Sequence, residues 1–152
     1  MKKWIIGVFA LALVIGLSGC RTKPVEDRFC DSLTQAEKII GFKLEAPEAL
    51  NDSGTKTFRV SGRTLEIMYF NGKVVSGKIS KSDNNENMKE SDYGYTASTA
   101  ITEAGTEYSL FGHKENELVY LATWVNGKCS YLVLDSAGKS ADEMVALCKG
   151  IH

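Results

Sequence analysis

Residues 118–134 read LVYLATWVNGKCSYLVL, two apolar runs that meet at Asn126-Gly127. Asn-Gly is the pair preferred in two-residue type I′ turns, so this stretch predicts a β-hairpin with strands over Leu118–Val125 and Lys128–Leu134. Apolar side chains fall on both faces of the predicted strands. We therefore expect other elements to cover at least one face of this hairpin.

The two faces of the hairpin carry different side chains. With Asn126-Gly127 as the turn, Trp124 lies opposite Cys129, and Tyr120, Trp124 and Tyr131 share one face. The other face is aliphatic, and we expect it to meet the helices. Tyr120, Trp124 and Tyr131 would then form a contact surface for a sugar, a peptide or a partner protein, because aromatic rings offer a large contact area at low entropic cost. The alternative is a second layer of chain that buries them.

Strand patterns continue on the N-terminal side of this hairpin. Alternating apolar and polar residues predict five further strands, at Thr55–Val60, Thr64–Phe70, Lys73–Ser80, Thr96–Thr102 and Glu107–Phe111. A second Asn-Gly pair, Asn71-Gly72, joins two of them, and a polar loop follows from Lys81 to Gly94. The sequence predicts a mainly antiparallel sheet of about six or seven strands.

Two short helices flank these strands. Thr34–Glu37 has the form of a capping box and precedes apolar residues at helical spacing, until Gly41 ends the pattern. Ser140–Glu143 is a second capping box, with an apolar stripe after it. A short helix can bury its stripe only against the sheet, so the predicted fold class is α+β, with the N- and C-terminal helices packed on one face.

The N-terminus has the composition of a processing signal. A positive start is followed by the uncharged apolar run Trp4–Leu17, which is shorter than the roughly twenty residues that cross a bilayer. The run ends in Leu17-Ser18-Gly19-Cys20, which resembles the lipobox of bacterial lipoproteins, where the cysteine thiol receives diacylglycerol. An uncleaved anchor helix is the alternative. We expect lipidation at Cys20, with the membrane as a partner and an extracytoplasmic location.

These features predict a division of the 152 residues into three parts. Residues 1–19 are a lipoprotein signal peptide, residues 20–30 are the lipidated cysteine and a polar tether, and residues 31–152 are a single α+β domain. The formal net charge is -1, so no strong field attracts nucleic acid, and a nucleic-acid partner is not expected.

Three motifs resemble a known family of domains. They are a helix that ends in Gly41-Phe42 before Pro47, the strand motif Ala122-Thr123-Trp124, and the segment Ser140–Met144. The chain is similar over residues 36–151 to a Gram-positive family of unknown function, found in lipoproteins and in extracytoplasmic domains of membrane proteins, sometimes in anti-sigma-factor-like contexts. It departs from that family at residues 49–54, where relatives tend to carry a second proline and a Gly-Tyr. The resemblance implies an extracytoplasmic location and transfers no catalytic residue.

Three cysteines remain once Cys20 carries a lipid. They are Cys30, Cys129 and Cys148, an odd number in a compartment where disulfides form. We favour a Cys30–Cys148 disulfide, because Cys30 enters the first helix on a segment that can adjust. Cys129–Cys148 is the less favoured alternative, because a helix axis lies about 10 Å above a sheet and leaves the two backbones further apart than a disulfide prefers.

No catalytic, metal or cofactor site is predicted. Asp83–Asn87 begins like a calcium loop, but Met88 replaces the turn glycine and Gly94 the bidentate glutamate. Asp135–Gly138 lacks the first glycine of a nucleophile elbow. The sequence therefore favours a non-enzymatic, surface-anchored binding or sensing module with an envelope protein, peptide or glycan as its ligand. An envelope enzyme acting on glycan or peptide, or a structural envelope component, is the alternative.

Overall fold

The computed structural model describes residues 25–50, 55–79 and 94–152. The elements in these ranges are β1 Val25–Cys30, α1 Leu33–Ile40, β2 Thr57–Gly62, β3 Thr64–Tyr69, β4 Gly72–Lys78, β5 Ala97–Glu103, β6 Thr106–Gly112, β7 Val119–Asn126, β8 Cys129–Lys139 and α2 Ala141–Lys149. The predicted signal peptide, Cys20 and the calcium-like segment Asp83–Asn87 lie outside the described residues. Neither helix in the described ranges is long and apolar enough to cross a membrane.

All the described strands form one sheet in the order β1-β2-β3-β4-β8-β7-β6-β5. Every neighbouring pair is antiparallel, which confirms the predicted α+β class and its mainly antiparallel sheet. Two meanders meet where β4 pairs with β8, with Val74 opposite Val133. The described ranges hold eight strands rather than six or seven.

The additional strand is β1, which lies within the predicted tether. It pairs with β2, with Cys30 opposite Phe58, and its register shifts between Val25 and Arg28. Residues 26–29 are exposed, so their side chains follow no apolar alternation. The pairing of an edge strand such as β1 is made by backbone hydrogen bonds. The pattern of side chains therefore does not predict it.

The N-cap of the first helix lies two residues before the predicted one. Ser32, not Thr34, is the N-cap, and its hydroxyl accepts a hydrogen bond from the backbone N–H of Gln35. Gly41 ends the helix in the left-handed conformation at φ 77°, as predicted. At the other end of the chain, Ser140 and Glu143 form the predicted reciprocal capping box of α2.

Both helices contribute to one buried cluster. Ala36 of α1 and Met144 and Cys148 of α2 belong to it, together with Trp124 and Tyr131 of the sheet. The aromatic face of the β7–β8 hairpin is therefore the one that meets the helices, and the expectation that the aliphatic face would do so is wrong. Trp124 and Tyr131 offer the larger apolar area, so burying them removes more surface from water.

The other face of the sheet carries a smaller apolar cluster. Val75, Leu121 and Leu132 are buried there, with Tyr95 and Phe111 packed against them. Both faces near the sheet centre thus exclude water, as the two-sided apolar pattern of residues 118–134 indicated.

The β7–β8 turn is displaced from its predicted position. Asn126 pairs with Cys129 and Trp124 with Tyr131, so the two turn residues are Gly127 and Lys128. Gly127 has a φ of 60°, which fits a type II′ turn with glycine first. The register differs from the prediction by two residues, which changes each cross-strand partner but keeps Leu121 to Val125 on their predicted faces. The register shifts between Val119 and Leu121, and Val119 belongs to the main buried cluster rather than to the face of Leu121.

Candidate functional site

Three rings meet at one end of the sheet, where β5 and β7 begin and β6 ends. The ring centroids of Tyr95 and Tyr120 lie 6.3 Å apart at an interplanar angle of 12°. His113 is tilted against both, at 5.4 Å from Tyr95 and 5.5 Å from Tyr120. We call Tyr95, His113 and Tyr120 the Tyr–His cluster.

Two hydrogen bonds of Thr96 bring Tyr95 and His113 together. The N–H of Thr96 donates to the carbonyl oxygen of Gly112 at 3.0 Å, and its hydroxyl accepts from the N–H of Lys114 at 3.2 Å. These two bonds fix the residue that follows Tyr95 to the residues on either side of His113. The two rings are therefore positioned by the hydrogen bonds of Thr96 as well as by their own packing.

Tyr120 reaches the cluster because β7 is irregular at its start. The register shifts between Val119 and Leu121, and the Tyr120 hydroxyl accepts a hydrogen bond from the Asn116 amide at 2.7 Å. The Tyr120 ring passes over Gly138, where an added Cβ would lie 2.9 Å from ring atom Cε1. A bulge that re-aims a side chain next to a supporting glycine is a common feature of binding sites.

The Tyr–His cluster is partly open to solvent. All three residues are half-buried, and Tyr95 also packs against the smaller apolar cluster of the sheet. The rings supply stacking surface, and the two hydroxyls, the imidazole and the Asn116 amide supply hydrogen-bonding groups. Such a combination suits a ligand with an apolar face and several neutral polar groups.

The three residues of the predicted aromatic surface, Tyr120, Trp124 and Tyr131, do not all lie together in the structure. Trp124 and Tyr131 are only 5% and 7% exposed and stack at 5.2 Å, so they belong to the core and do not present an open surface. Burial raises the pKa of the Tyr131 hydroxyl. Tyr120 alone of the three reaches solvent, beside Tyr95 and His113 rather than beside Trp124 and Tyr131.

The three cysteines of the described residues are free thiols. Cys30 and Cys148 both belong to the main buried cluster, although Cys30 ends β1 while α2 packs over β7 and β8. Burial raises the pKa of Cys148 to about 12, so its thiol is protonated at neutral pH. The Cys30–Cys148 pairing remains a prediction.

The buried carboxylates of the described residues are paired with cations. Glu66 accepts from Arg59 at 2.8 Å and from Lys73 at 3.1 Å. Asp135 lies 3.2 Å from the ammonium of Lys139. These partners account for the burial of both carboxylates. Within residues 25–50, 55–79 and 94–152, no group of three or more His, Cys, Asp or Glu side chains is arranged to hold a metal ion.

No family model matches the chain, and neither a curated protein nor a solved structure is significantly similar to it. The resemblance to Gram-positive lipoproteins of unknown function stays a prediction based on the three motifs. The Tyr–His cluster is accordingly defined by the geometry of this chain alone.

Proposed function

We propose that the chain is a non-enzymatic binding module whose ligand contacts the Tyr–His cluster. The observation that carries this proposal is the convergence of Tyr95, His113 and Tyr120 within about 6 Å at a partly open end of the sheet. Buried aromatic packing alone does not require a bulge, a half-exposed imidazole and an amide that fixes a tyrosine hydroxyl. Together these features favour a contact surface over a structural role.

A glycan is the ligand class that fits the cluster. The C–H face of a sugar ring is apolar and packs on tyrosine, while its hydroxyls bond to neutral donors and acceptors. A glycosidase would need two available carboxyl groups flanking the glycosidic bond. The two buried carboxylates of the described residues, Glu66 and Asp135, are engaged by lysine or arginine.

Binding of the full chain to purified peptidoglycan sacculi tests the proposal. Tyr95→Leu and Tyr120→Leu are each expected to weaken retention about tenfold, the effect of removing one aromatic anchor. Phe70→Leu is the matched control, because Phe70 is an 87% exposed aromatic residue of the β3–β4 turn, outside the cluster. Equal binding by all four proteins, or equal loss in all three variants, would contradict a glycan site at the cluster.

We also propose that a lipid on Cys20 anchors the module at the extracytoplasmic membrane surface. The lipobox-like residues Leu17–Cys20 support this, since a diacylated cysteine holds a protein stably where one acyl chain would not. Cys20→Ser is expected to abolish labelling by a radioactive fatty acid and to leave the precursor unprocessed. Labelling that persists in this variant would show that the anchor lies elsewhere.

A further inference from the structure

Among residues 25–50, 55–79 and 94–152, the strand β5 forms a regular sheet edge with no second strand partner. It pairs only with β6 in the described sheet, in an unbroken register from Ala97 opposite Gly112 to Glu103 opposite Thr106. Residues 98–100, 102 and 103 are exposed, and the strand contains no lysine, arginine or proline. An edge of this kind is a template for pairing with another chain.

The opposite edge of the sheet is protected. In β1 the register shifts between Val25 and Arg28, and the three residues Glu26, Asp27 and Arg28 are charged. Bulges and charges are devices by which proteins prevent edge-to-edge pairing. The described sheet therefore has one blunted edge and one that accepts a strand.

The β5–β6 turn determines which backbone groups face the open edge. Ala104 and Gly105 have φ of 50° and 83°, as in a type I′ turn, which is closed by a hydrogen-bonded pair, here Glu103 and Thr106. Hydrogen-bonded and non-bonded pairs alternate along an antiparallel ladder. The N–H and C=O groups of Ser98, Ala100 and Thr102 consequently point away from β6.

We propose that a second copy of this chain pairs with β5 through these groups, antiparallel and about a twofold axis at Ala100. Ala100 of each copy then lies opposite Ala100 of the other, and Ser98 lies opposite Thr102. These narrow pairs exchange about six backbone hydrogen bonds. The two sheets become one continuous sheet across the axis.

The side chains of β5 are compatible with this register. Glu103 is the only charged residue of the strand, and it faces Ala97 of the other copy rather than another glutamate. Thr99 lies opposite Ile101, which is half-buried against the main core and becomes more covered on pairing. Self-pairing thus buries an apolar side chain without setting like charges opposite each other. The strand alone is smaller than a standard interface, so the dimer dissociates on dilution.

Cysteine crosslinking in the full chain tests the register. A hydrogen-bonded pair separates its Cα atoms by about 5.5 Å, within the disulfide range, so Ala100→Cys should form a disulfide-linked homodimer under mild oxidation. Ser98→Cys is the matched control, because the two Ser98 positions are offset by four residues, about 14 Å along the strand. It should remain at the background of the wild-type chain, which carries the native cysteines.

A substitution without crosslinking gives an independent readout. Ala100→Lys places two lysines opposite each other on an exposed face, so self-association of the full chain in detergent should fall at least tenfold by sedimentation velocity, with an unchanged circular dichroism spectrum. The twofold pairing would be overturned if Ala100→Cys formed no homodimer, or if Ala100→Cys and Ser98→Cys crosslinked equally. It would also be overturned by an adduct of Ala100→Cys with a different protein, or by unchanged self-association of Ala100→Lys.

Discussion

Replacing Trp124 with alanine is expected to lower the free energy of unfolding by about 3–5 kcal/mol, the usual cost of removing a large buried aromatic side chain. Trp124 is 5% exposed and lies between Tyr108 and Tyr131, with ring centroids 5.8 Å and 5.2 Å away. Removing the indole leaves a cavity in the main buried cluster, beside Tyr108 and Tyr131. Urea denaturation followed by far-ultraviolet circular dichroism measures the change.

Val125→Ala is the control for this prediction. Val125 is the next residue of β7, but it is 55% exposed, so its truncation is expected to change stability by less than about 0.5 kcal/mol. If Trp124→Ala were as stable as Val125→Ala and instead failed to bind sacculi, the aromatic face would be a ligand surface, contrary to its burial under the helices.

Gly112→Ala is expected to destabilise the fold by more than about 4 kcal/mol or to prevent its expression in soluble form. A Cβ added at Gly112 would lie 1.9 Å from the carbonyl oxygen of Leu118 and 3.0 Å from its carbonyl carbon. Both atoms are backbone, so no side-chain rotation relieves the clash. The strands β6 and β7 would have to separate at this point. Their pairing here also holds the neighbouring residue His113 in place.

Gly150→Ala is the matched glycine substitution. Its added Cβ would meet only the carbonyl oxygen of Leu147, at an ordinary 3.5 Å, and its φ is -81°. We expect a change below about 0.5 kcal/mol. Similar melting temperatures for Gly112→Ala and Gly150→Ala would contradict the close approach of β6 and β7.

Much of the fold followed from local signals in the sequence. The alternating pattern located every strand from β2 to β8, and the capping residues located α2. The predicted position of the β7–β8 turn is wrong because a type I′ turn needs Asn126-Gly127 at its two central positions, whereas Gly127 occupies the first of them. Gly72 lies in β4 rather than in a turn, and it is required there by close packing. A Cβ at Gly72 would lie 2.0 Å from the carbonyl oxygen of Leu134 in β8. That close approach comes from a distant strand.

The candidate site was only partly predictable. Alternation correctly put Trp124 and Tyr131 on one face, but which face the helices cover depends on packing across the whole sheet. Tyr120 was noted, yet its partners Tyr95 and His113 lie about 25 and 7 residues away in sequence and meet only through the strand pairing. In the sequence, Tyr95 and His113 are recognisable only as a tyrosine and a histidine near the ends of predicted strands. Neither belongs to a sequence motif that predicts a binding site.

Nuclear magnetic resonance of the imidazole groups tests the proposed glycan site most directly. The chain has two histidines, His113 in the Tyr–His cluster and His152, which pairs with Glu45 at 3.1 Å. Soluble peptidoglycan fragments, titrated into the protein, are expected to shift the ring signals of His113 in a saturable manner and to leave those of His152 unchanged. Unchanged His113 signals at millimolar fragment, or equal shifts at both histidines, would contradict a glycan-binding site at this cluster.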